Sequence, residues 1–146
     1  MKLGTKTRYA TRAMLELALN YEDGQGLVSA KEIAVCQQIS HKYLEQLLAT
    51  LRTAGLVRSV RGTRGGHALT RPPDQINLRQ IYHAFEGPEG FAECTASPEI
   101  CDRADVCATH RVWDRMYAAS MEVLESTTLE DLIRRGGEVQ GQSGRC

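Results

Sequence analysis

Ala10, Ala13, Met14, Leu17 and Tyr21 recur at helical spacing, so the chain opens on an amphipathic helix that Glu22-Asp23-Gly24-Gln25-Gly26 brings to an end. Ser29-Ala30-Lys31-Glu32 has the form of a capping box, in which hydroxyl and carboxylate each satisfy the other residue's backbone N–H. It predicts a second, short helix running to about Cys36. Gln37-Gln38-Ile39 then makes a turn, and Ser40 supplies the N-cap of a third helix that buries Leu44, Leu47, Leu48 and Leu51 and stops at Ala54-Gly55. Leu56-Val57-Arg58-Ser59-Val60-Arg61 alternates as a strand, Gly62-Thr63-Arg64-Gly65-Gly66 permits a hairpin loop, and His67-Ala68-Leu69-Thr70 returns. Two short helices about a tight turn, followed by a hairpin, outline a winged helix-turn-helix.

Arg71-Pro72-Pro73 closes this module, and Asn77 caps a fourth helix carrying Leu78, Ile81, Tyr82 and Phe85 before Gly87-Pro88. Residues 88 to about 105 lack periodicity. Val112, Met116, Ala119 and Val123 mark a long helix, and Thr127-Thr128-Leu129-Glu130 can cap a last short one. The fold class is therefore mostly α with a small β-hairpin, a winged helix-turn-helix followed by a long helix, which the family resemblance described below makes a dimerisation helix. Its expected divisions are a DNA-binding domain over 1–71, a linking helix over 72–87 and a cysteine-rich loop over 88–110. The dimerisation helix and short C-terminal helix fall within 105–135, and the Gly-, Gln- and Ser-rich residues 136–146 read as a disordered tail.

A length of 146 residues suits one domain with an appendage, and 42% hydrophobic with 25% charged residues excludes a wholly disordered chain. No apolar run approaches the ~18 residues of a membrane span, and no apolar leader segment opens the chain, so the expected location is the cytoplasm with no membrane partner. The zero net charge hides an asymmetry. Residues 1–71 hold 11 Lys+Arg against 5 Asp+Glu, net +6, while residues 72–146 hold 7 against 13, net −6. The basic half is suited to follow phosphates.

On the third helix, Ser40, His41, Lys42 and Gln46 offer donors and acceptors to base edges and phosphates, and Glu45 can accept from cytosine N4. Arg58, Arg61 and Arg64 lie on or beside the hairpin, where guanidinium groups can reach phosphates or a narrow minor groove. The chemical centre is Cys94-x6-Cys101-x5-Cys107-x2-His110. Three soft thiolates and an imidazole make four ligands for either zinc or a 2Fe-2S cluster, and spacing alone does not choose between them. Cys107 with His110 is the one candidate nucleophile-base pair. With no P-loop and no dinucleotide fingerprint beside it, the chain does not read as an enzyme.

Lys6-Thr7-Arg8-Tyr9-Ala10, Lys42-Tyr43-Leu44-Glu45-Gln46-Leu47, Leu51-Arg52-Thr53-Ala54-Gly55-Leu56-Val57 and Ser59-Val60-Arg61-Gly62 lie ahead of those cysteines. Together they make residues 1 to about 135 resemble the IscR family of winged-helix transcription regulators. The resemblance implies a homodimer joined through the long helix, with two recognition helices on double-stranded DNA at a palindromic operator. It adds Arg8 and Tyr43 to the candidate DNA contacts and sets Arg61 beside the recognition helix. It further implies a 2Fe-2S cluster on Cys94, Cys101, Cys107 and His110, repression of cluster-assembly genes, and a cluster-assembly or sulfur-metabolism protein as a further partner. In the branch of this family that responds to nitric oxide an acidic residue near the N-terminus serves as fourth ligand, whereas position 8 here is Arg8. The interval between Cys94 and Cys101 is one residue longer than the family's usual spacing. Glu86-Gly87-Pro88 and Ser126-Thr127-Thr128-Leu129-Glu130-Asp131-Leu132 resemble a cysteine-metabolism branch, controlled by a partner protein. That branch is the alternative, with a zinc-binding winged-helix regulator beside it.

Overall fold

The computed structural model describes residues 3–87 and 92–139. The sequence-predicted Pro88 stop, the first residues of the cysteine loop and the end of the tail lie outside them. Helix α1 spans Thr5–Leu19, α2 Ala30–Gln37 and α3 His41–Thr53; strands β1 (Val57–Val60) and β2 (Gly66–Leu69) follow, then α4 (Leu78–Glu86), α5 (Glu93–Ala96), α6 (Ala108–Ser126) and α7 (Leu129–Val139).

The local signals act where they stand. Ser29 Oγ accepts from the Glu32 backbone and the Glu32 carboxylate takes the Ser29 amide at 2.8 Å, so α2 starts on a complete capping box. Gly55, at φ 72°, ends α3 in the left-handed region open to glycine. Asn77 caps α4 and forms a box with Gln80, a reciprocity the sequence reading did not include. The first helix ends at Leu19 rather than Tyr21, and Tyr21 instead packs partly buried against the core.

The core gathers Ala10, Met14 and Leu17 of α1 with Ile33 of α2, Leu44, Leu48 and Leu51 of α3, Val57 and Leu69 of the hairpin and Ile81 of α4. Strands β1 and β2 pair antiparallel, with Val57 opposite Leu69 and Ser59 opposite His67. Val28, just before α2, adds a backbone bridge to His67, exchanging hydrogen bonds of 2.8 and 3.0 Å. Strand β2 is thus held along both edges, by β1 and by Val28.

The C-terminal part returns to the same core. Leu129 is fully buried there, the Leu129 amide donates to the Ile76 carbonyl, and Leu78 donates to Thr127. Consequently α7 packs on α1 although α6 stands away from it. Two expectations change. The segment expected to lack structure contains α5 and short 3-10 turns at Pro98–Ile100 and Ala104–Val106, so the long helix starts only at Ala108. The last helix runs to Val139, so residues 136–139 are helical rather than tail: Thr128 and Asp131 cap its start reciprocally, and Leu132 and Ile133 anchor it on the core.

Candidate functional site

Helix α3 divides by face. Leu44, Leu47, Leu48 and Leu51 are buried, which leaves His41, Lys42 and Gln46 exposed on the opposite side and Glu45 at the margin. Ser40 caps the helix, its Oγ accepting from the Tyr43 amide at 3.2 Å, and its hydroxyl hydrogen is still available as a donor. His41 Nε2 lies 3.6 Å from Glu45 Oε1, one helical turn away, so the acid is partnered whenever His41 is protonated. Tyr43 is half-buried and meets Tyr9 edge-on at 6.1 Å, committing its ring to packing against α1. Arg8 is exposed on the first turn of α1, donating locally to Thr5.

Arg12 was not among the sequence candidates, yet it braces the helix-turn-helix. Its guanidinium lies 5.3 Å from the Tyr9 ring centroid and donates to the side chain (2.7 Å) and carbonyl (3.2 Å) of Gln37. The bend there requires Gln38 at φ 53°, a conformation that a non-glycine residue adopts only when its surroundings enforce it. The signal for Arg12 is tertiary, since its partner lies 25 residues away.

Arg61 and Arg64 are exposed at the hairpin tip, where Gly62 has φ 115° and a Cβ on Gly65 would collide with the Val60 carbonyl. Arg58 departs from expectation. It is half-buried and donates to the Gly24 carbonyl, closing the turn after α1 onto β1. Val57 enters the core, so its neighbour Arg58 points to the opposite face of the hairpin, away from α3, and finds that carbonyl. Arg58 is therefore a brace, and the outward guanidinium groups of the wing are those of Arg61 and Arg64.

The thiol-rich region begins at α5, which carries Cys94 and rests against α6. Cys101 follows the Pro98–Ile100 turn, and Cys107 sits at the N-cap of α6 with His110 at its N3 position. All three thiols are free and half-buried. The Thr109 hydroxyl, 3.1 Å from Cys107 Sγ, holds that thiol below its ordinary pKa, helped by the backbone N–H groups of His110 and Thr109 and by Arg103. Nδ1 of His110 is buried without a hydrogen-bond partner, a costly condition for a polar atom. An unpaired imidazole nitrogen within one helical turn of a thiol of lowered pKa fits a soft metal centre in donor chemistry. Among the described residues, however, no three His, Cys, Asp or Glu side chains converge tightly enough to hold a metal ion. Any such centre must be completed as the ion binds, in the way metal binding and local folding are commonly coupled.

Helix α6 buries only Met121. Val112, Met116 and Val123 are 49%, 42% and 63% exposed along one stripe with Ala119, so its apolar face has no cover among the described residues. Among the described residues no helix is long and apolar enough to cross a membrane.

A sequence model of the Rrf2 family, described as iron-dependent transcriptional regulators, matches residues 3–135. The transcriptional regulator CymR of Bacillus subtilis is 43% identical over 90% of this chain and 89% of its own, and its solved structure, that of the global cysteine regulator, superposes with a TM-score of 0.75. IscR of Cereibacter sphaeroides is 40% identical over 92% of this chain and 88% of its own. The structure of T. potens IscR, 38% identical, covers 99% of this chain and 94% of its own with a TM-score of 0.78.

Proposed function

The chain belongs to the Rrf2 family of transcription regulators, and we propose that within this family it is a homodimeric, cytoplasmic repressor of cluster-assembly genes whose 2Fe-2S occupancy reports iron-sulfur supply. The observation that carries the reading is the N-terminus of α6, where a thiol whose pKa is lowered and a buried, unpartnered imidazole nitrogen occur on one helical turn.

Cys94, Cys101, Cys107 and His110 would hold the cluster, which when bound would supply a centre responsive to iron, sulfide and oxidants. The chain's own residues do the rest. Cys107 and His110 arrive already fixed by the first turn of α6, while Cys94 on α5 and Cys101 after its 3-10 turn must close toward them. Because α5 rests on α6, closure bears on the dimer helix, and α6 bears on α4. The exposed stripe of Val112, Met116, Ala119 and Val123 supports pairing of α6 with α6 of a second copy. Two copies then present two α3 helices and two wings to a palindromic duplex, with Ser40, His41, Lys42, Glu45, Gln46, Arg61 and Arg64 toward the DNA.

Similarity to CymR, the global cysteine regulator of B. subtilis, favours a second reading, a regulator of cysteine metabolism, for which the family resemblance adds control by a protein partner. Anaerobic reconstitution with iron and sulfide, followed by absorbance and iron and sulfide analysis, separates the readings. The cluster reading expects two irons and two sulfides per chain with visible charge-transfer bands. A colourless zinc protein, or no metal uptake, overturns it.

A further inference from the structure

His67 is unlike the rest of the wing. Ser59, Val60, Arg61, Gly62, Thr63 and Arg64 are exposed, whereas the His67 side chain across the hairpin from Ser59 is only 8% exposed. Its Nδ1 lies 2.8 Å from Ser59 Oγ, and Ser59 Oγ also accepts from Arg52 Nη1 of α3 at 3.3 Å. The arginine can only donate, which leaves the serine proton available to the imidazole, so the two hydrogen bonds link Arg52, Ser59 and His67 in one chain. The backbone of His67 meanwhile exchanges two hydrogen bonds with Val28, and a Cβ added at Gly66 would press on the Val28 backbone. One residue therefore joins β2, β1, the strand-like segment before α2, and the recognition helix. The charged groups that act on it all belong to α3: Glu45, Arg52 and His41.

We propose that His67 is a positioning residue for DNA recognition: its hydrogen bond to Ser59 fixes the wing against α3, so that Arg61 reaches DNA in a set register with Glu45 and Gln46. The proposal rests on the DNA-binding reading and adds a determinant that does not itself touch DNA. A two-stranded hairpin is marginal on its own, and the Val57–Leu69 pair secures only its base. The Ser59–His67 pair is the next rung toward the tip on the same face, and it is the rung tied to α3. Without it the arginine tip keeps its charge and loses its direction.

The test is a double-mutant cycle on the full-length protein. Affinity is measured for a duplex covering the promoter upstream of the chain's own gene and for a random duplex of equal length. In the wild-type background, Arg61→Ala should weaken promoter binding roughly tenfold or more, the scale of one specific guanidinium contact. With His67→Phe, which keeps a buried ring and loses the hydrogen bond, Arg61→Ala should cost less than about threefold on that same scale. His67→Asn, whose side-chain oxygen can accept from Ser59, should restore the larger effect. Ser59→Ala removes the same bond from an exposed site and should reproduce the Phe result even if the buried substitution perturbs folding. An equal Arg61→Ala loss in the wild-type, His67→Phe and Ser59→Ala backgrounds overturns the proposal while leaving DNA binding intact. A wild-type protein that does not prefer the promoter duplex overturns the DNA reading and this proposal together.

Discussion

Cys107 caps the helix of which His110 is the third residue, and the backbone N–H of His110 is one of the groups that stabilise the Cys107 thiolate. Thiol and imidazole are thus presented by one rigid helix end, while the other two cysteines arrive on short segments. His110→Ala should accordingly leave a labile cluster, and His110→Cys a stable one at lower potential, because replacing imidazole by thiolate makes the site more negative. Cys94→Ala, Cys101→Ala and Cys107→Ala should each abolish assembly. Visible absorbance decay in air after anaerobic reconstitution reads all five variants. A wild-type spectrum and lifetime for His110→Ala would remove His110 from the ligand set.

Arg58 and Arg61 should separate cleanly. Arg58→Ala deletes a charged donor to the Gly24 carbonyl and should lower unfolding free energy by about 1–2 kcal/mol with little change in affinity for a promoter duplex. Arg61→Ala should do the reverse. Urea melts and fluorescence anisotropy on the same preparations check the pair, and a similar profile for both variants would contradict the assignment of Arg58 as a brace.

The exposed stripe on α6 predicts an oligomer that a charge disrupts. Met116→Glu places a carboxylate between Val112 and Ala119, where pairing would desolvate it at a cost of several kcal/mol. Light scattering after gel filtration should show a dimer for the wild type and a monomer for the variant at micromolar concentration. Far-UV circular dichroism should be retained, since Met116 is exposed within the chain. A variant that stays dimeric would move the interface off this face.

Burial is the largest cause holding the pKa of His67 below its ordinary value. The unfolded chain takes up a proton as the pH falls through ~6.5 while the folded chain does not, so the unfolded state binds more protons and stability declines with falling pH. The decline begins near that value and levels off below the folded-state pKa. Urea melts between pH 7.5 and pH 5 should therefore show a smaller acid loss for His67→Phe than for the wild type. Equal slopes would mean that His67 titrates in the folded state as it does in the unfolded chain.

What the sequence reveals here is what its neighbours in the chain decide. The Ser29–Glu32 box, the Ser40 cap, Gly55 and the four leucines of α3 are local patterns, and the structure realises each of them. Arg58 carries the same chemistry in the sequence as Arg61, but its partner is a carbonyl 34 residues earlier. Arg12 and His67 escape notice for the same reason: each acts through an element that periodicity cannot pair with it. Four-residue α5 is too short to show a period. The Gly, Gln and Ser content from Gly136 onward reads as a disordered tail, although the packing of Leu132 and Ile133 carries α7 past the modest cost of a helical glycine. The cysteines announce donor types and order, while the path of the loop that must bring them together depends on contacts with α6.

Regulation by the cluster requires that its occupancy change DNA affinity, because a ligand shifts that affinity only if it favours one of two conformations. The direct measurement is an anaerobic anisotropy titration of the promoter duplex with reconstituted and metal-free protein at one salt concentration. The result expected is saturable binding in at least one form, with dissociation constants at least about fivefold apart, the low end of ordinary coupling energies. Equal affinities for the loaded and metal-free protein would contradict the account.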